Sequence, residues 1–279
     1  LVLGEGTLGG FVGLIAHEMG HQLFQHVLAT NESKHSWMDE GFTSYASNEV
    51  MNYLSIKKMI PGEPVQNPHL GDVNGYINFA LSGREEPLIT HADHFLTNTA
   101  YGVASYTKGE VFLEQLRYII GEHAFDKGML QYFDTWKFKH PNPNDFIRIM
   151  EKASKLELDW FKEYFVHTTH TVDYEVESMS GKSAIIRKKG VMPMPLDITV
   201  KTKNGKEYYY YIPLDILRGE KNGDRFFSNF KVMKDWSWAH PTYKLDLDQK
   251  LSDIETIEID FSKRLADVDR TNNVYPRKM

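Results

Sequence analysis

The 279-residue chain contains no cysteine, which excludes disulfides, thiolate metal sites and a cysteine nucleophile. It has no uninterrupted apolar run near the ~20 residues that a membrane-spanning helix needs, so no transmembrane segment is expected. It lacks a basic excess: 32 Lys and Arg stand against 38 Asp and Glu, for a net charge of −6. That balance gives no reason to expect a nucleic-acid partner. The opening LVLGEGTLGG lacks an initiator Met and a charged signal-peptide start. LVLG reads as the end of a strand whose partners are missing, so the chain is expected to be an N-terminally trimmed piece of a longer protein.

What is present is a globular composition, 41% apolar and 25% charged, long enough for two modest domains. The pattern splits near residue 168. Residues 1–168 read as mostly helical. Thr7 is a candidate N-cap, after which Leu14, His17, His21 and Phe24 fall on one helical face. A second helix is expected from Ser36, with Asp39 as capping-box partner, to about Leu54. Residues 55–75, rich in Pro, Gly and Asn, read as a long surface loop. Helical periods return over 108–120, 125–138, 144–154 and 158–165. In residues 169–279 the period changes to two. Residues 197–202 and 207–212 flank Asn204-Gly205, which suits a type I′ hairpin turn. Tyr243, Leu245 and Leu247 alternate, as do Ile257, Ile259 and Phe261. The fold class expected is multidomain α+β, a mostly helical domain followed by a small β-sandwich.

The chemistry concentrates in HEMGH, residues 17–21. His17 and His21 are four apart and project side by side from a helix. Two neutral imidazoles so placed suit tetrahedral zinc (Zn2+). Glu18, beside the first ligand, is positioned to take a proton from an attacking water and pass it to a leaving amine. A catalytic zinc needs a third protein ligand and an open position. Glu40, in WMDEGF, follows His21 after 18 residues and lies on the next helix, where it can complete the set.

HEMGH, 18 residues and then Glu40, within Asp39-Glu40-Gly41-Phe42, resemble the M1 family of zinc aminopeptidases, gluzincins with a thermolysin-like catalytic domain. The family commonly reads Asn-Glu-Gly-Phe, and the change to Asp39 leaves the ligand untouched. The resemblance implies His17, His21 and Glu40 as zinc ligands and Glu18 as general base. A further match is Tyr106-Thr107-Lys108-Gly109, which is similar to the family's Tyr-x-Lys-Gly and implies that Tyr106 hydrogen-bonds the developing oxyanion. Tyr101 is a weaker candidate for the same pocket. The segments ATNESKHSWMDEGFTSYAS and RLADVDRTNN look like a bacterial branch, which implies export to the periplasm or beyond rather than a cytoplasmic location. The family's Gly-x-Met-Glu-Asn-like motif, which binds the substrate's amino group, does not occur in GEGTLGG. It is expected upstream of Leu1, together with an N-terminal domain that would be this chain's partner.

The implied substrate is therefore a peptide, cut at its N-terminus by the full-length enzyme, with little activity expected of this chain alone. The alternatives are a zinc endopeptidase of the same clan and an inactive fragment whose β-sandwich binds a partner protein. Other histidines read more plainly. HADH at 91–94 lacks a helical i, i+4 pair and reads as solvated, and His26 is expected to pack at a helix end. Asp39, Ser44 and Glu49 are candidates to hold a ligand histidine's second nitrogen. Trp236 and Trp238 read as sandwich aromatics. The glycines of GEGTLGG read as a tight turn at the helix start.

Overall fold

The computed structural model describes residues 7–223 and 230–277. Helices come first: α1 (Leu8–Gly20), α2 (Glu32–Ile56), α3 (Leu70–Ala80), α4 (Asn98–Gly102), α5 (Gly109–Ile120), α6 (Glu122–Trp136), α7 (Pro143–Ser154) and α8 (Asp159–His167). The strands follow: β1 (Tyr174–Ser180), β2 (Ser183–Lys188), β3 (Leu196–Thr202), β4 (Glu207–Ile212), β5 (Lys231–Val232), β6 (Thr242–Asp246), β7 (Ile254–Ile259) and β8 (Val274–Tyr275). They form a three-stranded sheet, β1-β2-β6, and a five-stranded sheet, β5-β4-β3-β7-β8. Only the β4–β5 pairing is parallel among these. Val176, Ile186 and Leu245 of one sheet and Ile198, Val200 and Ile257 of the other join a single buried cluster with the helices.

Local chemistry explains several ends. The Thr7 hydroxyl accepts from Gly10 N at 3.1 Å and starts α1. Asn142 and Asp145 form a reciprocal capping box, with Pro143 at the first helical position of α7. α5 is central, and all twelve of its residues are buried. Gln115 donates to the Arg264 carbonyl at 2.6 Å and accepts from Ala266 N at 2.9 Å. The Tyr118 hydroxyl accepts from Asp197 N at 2.9 Å. These bonds bind α5 to the sheet half.

Four expectations need correction. α2 starts at Glu32, capped by Asn31, and breaks at His35 (φ −140°, ψ 50°) before continuing from Ser36. No Ser36–Asp39 capping box forms: Ser36 Oγ meets Ser105 Oγ at 2.7 Å, and Asp39 turns to His21. Buried polar partners outcompete the local cap. The 55–75 loop contains the start of α3, because Val73, Tyr76 and Ile77 are buried at helical spacing despite Gly71, Asn74 and Gly75. The β3–β4 connection is not a type I′ turn. Positive φ occurs at Gly205 (+82°) but not at Asn204, and Gly205 N donates to the Thr202 carbonyl at 2.8 Å. Phe261 lies beyond the end of β7, so the alternation stops at Ile259. The LVLG strand and the glycines at 4 and 6 fall outside the described residues.

α3 also delivers a buried histidine. His69, wholly buried, stacks on Tyr45 with ring centroids 4.1 Å apart. Its Nδ1 lies 2.7 Å from Glu110 Oε1 and its Nε2 3.2 Å from Glu49 Oε1. Burial opposes the charged ring more than any other single influence. The hydrogen bonds to Glu110 and Glu49 and the charges of Glu114 and Glu110 outweigh it, and hold His69 at about 9. Asp72 and Glu110 are themselves lifted by burial, and Arg117 faces Glu49 and Tyr45 from α5. A raised histidine stabilises the fold fully below its ordinary value of 6.5 and loses that contribution as pH rises to about 9. Asp72 and Glu110, raised by burial, likewise lose their contribution as pH rises through their folded values. We expect urea stability to fall by a few kcal/mol between pH 6.5 and 9, and His69→Gln to flatten that slope. An equal slope in both proteins would place the titration elsewhere.

Candidate metal centre and active site

α1 ends at Gly20, so His17 lies in its last turn and His21 is its C-cap. The spacing still brings the imidazoles together, with centroids 4.8 Å apart and planes at 87°. α2 crosses α1 and sets Glu40 Oε2 3.2 Å from His17 Nε2 and 3.3 Å from His21 Nε2. Among the described residues these three are the group with the reach to share a metal ion. Donors bound to tetrahedral zinc at about 2.0–2.1 Å stand roughly 3.3–3.4 Å apart, so Glu40 already has this spacing to both rings. Two imidazole nitrogens and one carboxylate oxygen, with a fourth position left open, fit a catalytic zinc.

Behind this group, Asp39 Oδ1 lies 2.7 Å from His21 Nδ1, with Thr43 Oγ1 at 3.3 Å. At 2.7 Å the Asp39 carboxylate and the His21 ring are in ion-pair contact. A proton on Nδ1 leaves the Nε2 lone pair free for a metal. Of Asp39, Ser44 and Glu49, Asp39 is the one that faces His21; Ser44 accepts from Ser47 through its carbonyl, and Glu49 pairs with His69 and Arg117. Burial lifts the Asp39 carboxyl to about 6, Glu40 adding to the push and His21 opposing it. Burial also pushes Glu40 up, but hydrogen bonds from His17 and Tyr106 and the charges of both histidines leave it below the usual carboxylate range.

Tyr106 donates to Glu40 Oε1 at 2.6 Å, and its ring stacks on His17 at 5.8 Å. Burial and the Glu40 carboxylate raise its pKa, so the phenol stays a donor at neutral pH. It sits on a π-helical turn, Val103–Lys108, a geometry often found at functional sites. Glu18 is exposed on α1, and among the described residues no hydrogen bond or ion pair engages it. Tyr101 meets Phe95 edge-on at 5.7 Å. The His26 ring is exposed, and its Nδ1 lies 2.6 Å from the His21 carbonyl, at the end of α1. HADH places the His91 and His94 rings 5.1 Å apart at a short 3-10 turn with Asp93 Oδ2 3.8 Å from His91 Nδ1, and among the described residues they do not form a three-donor group.

The residues that the motif reading missed are the glycines behind it. A Cβ on Gly41 would lie 2.5 Å from the Gly109 backbone, and one on Gly109 would lie 2.9 Å from Gly41 Cα and from the Trp37 carbonyl oxygen. α2 and α5 therefore cross backbone to backbone, immediately after Glu40 and three residues after Tyr106. The signal was visible as a glycine within each motif, directly after Glu40 in one and at the end of the other.

Glutamyl aminopeptidase of Rattus norvegicus is 24% identical over 194 residues, which are 66% of this chain and 19% of the relative. The Homo sapiens glutamyl aminopeptidase is 24% identical over 183 residues, 63% of this chain and 18% of its own. The chain spans about a fifth of the length of these relatives. A solved M1 zinc metallopeptidase from Deinococcus radiodurans, a mutant bound to a Tyr-Ser-Ala substrate, aligns with a TM-score of 0.44 and 15% identity. That alignment covers 55% of this chain and 32% of the other. Residues 10–165, more than half of the chain, match the peptidase family M1 domain, and the chain belongs to that family.

Proposed function

We propose that residues 1–168 are the catalytic part, and 169–279 a β-sandwich, of a zinc aminopeptidase that removes N-terminal residues from peptides. The observation that carries this reading is the convergence of His17, His21 and Glu40 from two helices, with Tyr106 on the same carboxylate. Bound zinc would supply Lewis acidity, polarising the scissile carbonyl and lowering a water's pKa toward about 7. Glu18, free of other partners, takes a proton from the attacking water and delivers it to the leaving amine. Asp39 keeps the proton of His21 on Nδ1. Tyr106 turns its hydrogen from Glu40 Oε1 to the developing oxyanion, exchanging one anionic acceptor for another.

The aminopeptidase part is supported by the names that the relatives bear. It is tested by offering the zinc-loaded protein that contains this chain a peptide with a free N-terminus and its N-acetylated twin. Cleavage confined to the free peptide is expected. Internal cleavage of both would make the protein an endopeptidase with the same hydrolytic residues.

A further inference from the structure

Lys108 has no part in the chemistry above, yet it is only 1% exposed. An ammonium buried this deeply costs several kcal/mol unless it is paired. Its Nζ lies 2.6 Å from Glu85 Oε1, in the segment after α3, and donates to the Thr168 carbonyl at 3.2 Å, just past α8. It also lies over the Phe165 ring at 5.3 Å and the Tyr76 ring at 5.8 Å. One side chain at the end of the π turn thus gathers α3, α8 and the segment between α3 and α4.

Tyr106, two residues earlier on that turn, has little packing of its own. Its side chain is 40% exposed and is held at the tip by Glu40 and on one face by His17. Its direction therefore depends on the backbone that carries it. π turns are rare and occur mostly as single turns inside α-helices. This one is pinned beside Gly109 by the close approach of Gly41 and at Lys108 by the buried ion pair.

We propose that Lys108 is a positioning residue, whose ion pair with Glu85 holds the π turn so that the Tyr106 hydroxyl points into the site. The inference rests on the peptidase reading of Tyr106. A merely structural lysine would act on the whole fold, whereas a positioning lysine acts through Tyr106.

The test is a double-mutant cycle in the zinc-loaded protein. Lys108→Met alone strands a buried carboxylate and risks misfolding, so the working variant is K108M/E85Q, which removes both charges and keeps an amide oxygen as acceptor. The expected result is unchanged zinc content and KM, kcat lower by up to about 10²-fold, as for a misplacement of ~1 Å, and no further loss when Y106F is added. The Tyr106 13Cζ resonance, assigned by its absence in Y106F, is expected to shift in K108M/E85Q. Full additivity with Y106F, or an unmoved resonance with wild-type kcat, overturns the proposal. If the wild-type protein cleaves no peptide, the peptidase reading fails, and the resonance alone decides whether Lys108 positions Tyr106.

Discussion

Replacing Glu18 with Gln is expected to lower kcat by about 10²–10⁴-fold, the usual worth of a positioned general base, while zinc content stays unchanged. The two outcomes separate because Glu18 lies outside the donor group of His17, His21 and Glu40. The fold should not suffer, since Glu18 is exposed and, among the described residues, forms no ion pair. The amide keeps the shape of the side chain and loses only its ability to accept and return a proton. Steady-state kinetics and elemental zinc analysis on the same preparation decide the matter. Near-normal turnover would remove Glu18 from the mechanism, and loss of zinc would mean that it belongs to the coordination set.

Gly41→Ala should act on the same site by a different route. The added methyl would lie 2.5 Å from the Gly109 backbone and 2.9 Å from Glu110 N. None of these atoms belongs to a side chain that can rotate away, so α2 and α5 must separate. Overpacking costs about 1–3 kcal/mol, and the upper end is expected here. That corresponds to a Tm decrease of about 2–4 °C per kcal/mol for a chain of this size. Separation also moves Glu40 away from Tyr106, so zinc affinity and kcat should fall together, each by about tenfold or more. Gly71→Ala is the control. It lies in α3 with nothing within 4 Å of the new methyl, and should be neutral or stabilising by up to about 1 kcal/mol. If Gly41→Ala matched that control in melting and zinc binding, the helix crossing would have more slack than its distances imply.

The candidate site was more legible in the sequence than the fold that holds it. His17, His21 and Glu18 were readable because helical spacing alone fixes which side chains are neighbours. Glu40 was readable because a catalytic zinc needs a third donor and the connection between the two helices can bring that carboxylate beside the histidines. Asp39 was read both as a cap and as a partner for a histidine of the site, since one sequence pattern serves a local contact and a distant one, and only packing decides between them. His69 was lost inside a loop composition: a lone histidine after a proline carries no mark of the two carboxylates that surround it. Lys108 was noticed as a motif letter and not as a buried charge, because its partner Glu85 lies 23 residues away in sequence on no periodic element. The hairpin strands were found, but the turn between them was mistyped because Asn-Gly suits more than one connection.

The complete burial of α5 has a consequence for how the protein comes apart. A helix with water on one side can loosen alone; α5 has no such side. Arg264, on the sheet half, reaches Glu114 at 2.6 Å, and Lys221 donates to the Tyr118 carbonyl at 3.1 Å. Neither half can release α5 without stranding charges and carbonyls in an apolar interior, at a cost of several kcal/mol. Buried ion pairs and hydrogen bonds thus cross the composition change near residue 168. The helical and sheet halves are therefore expected to unfold together, so that damage to the distant sheets would be felt at the helix that begins three residues after Tyr106.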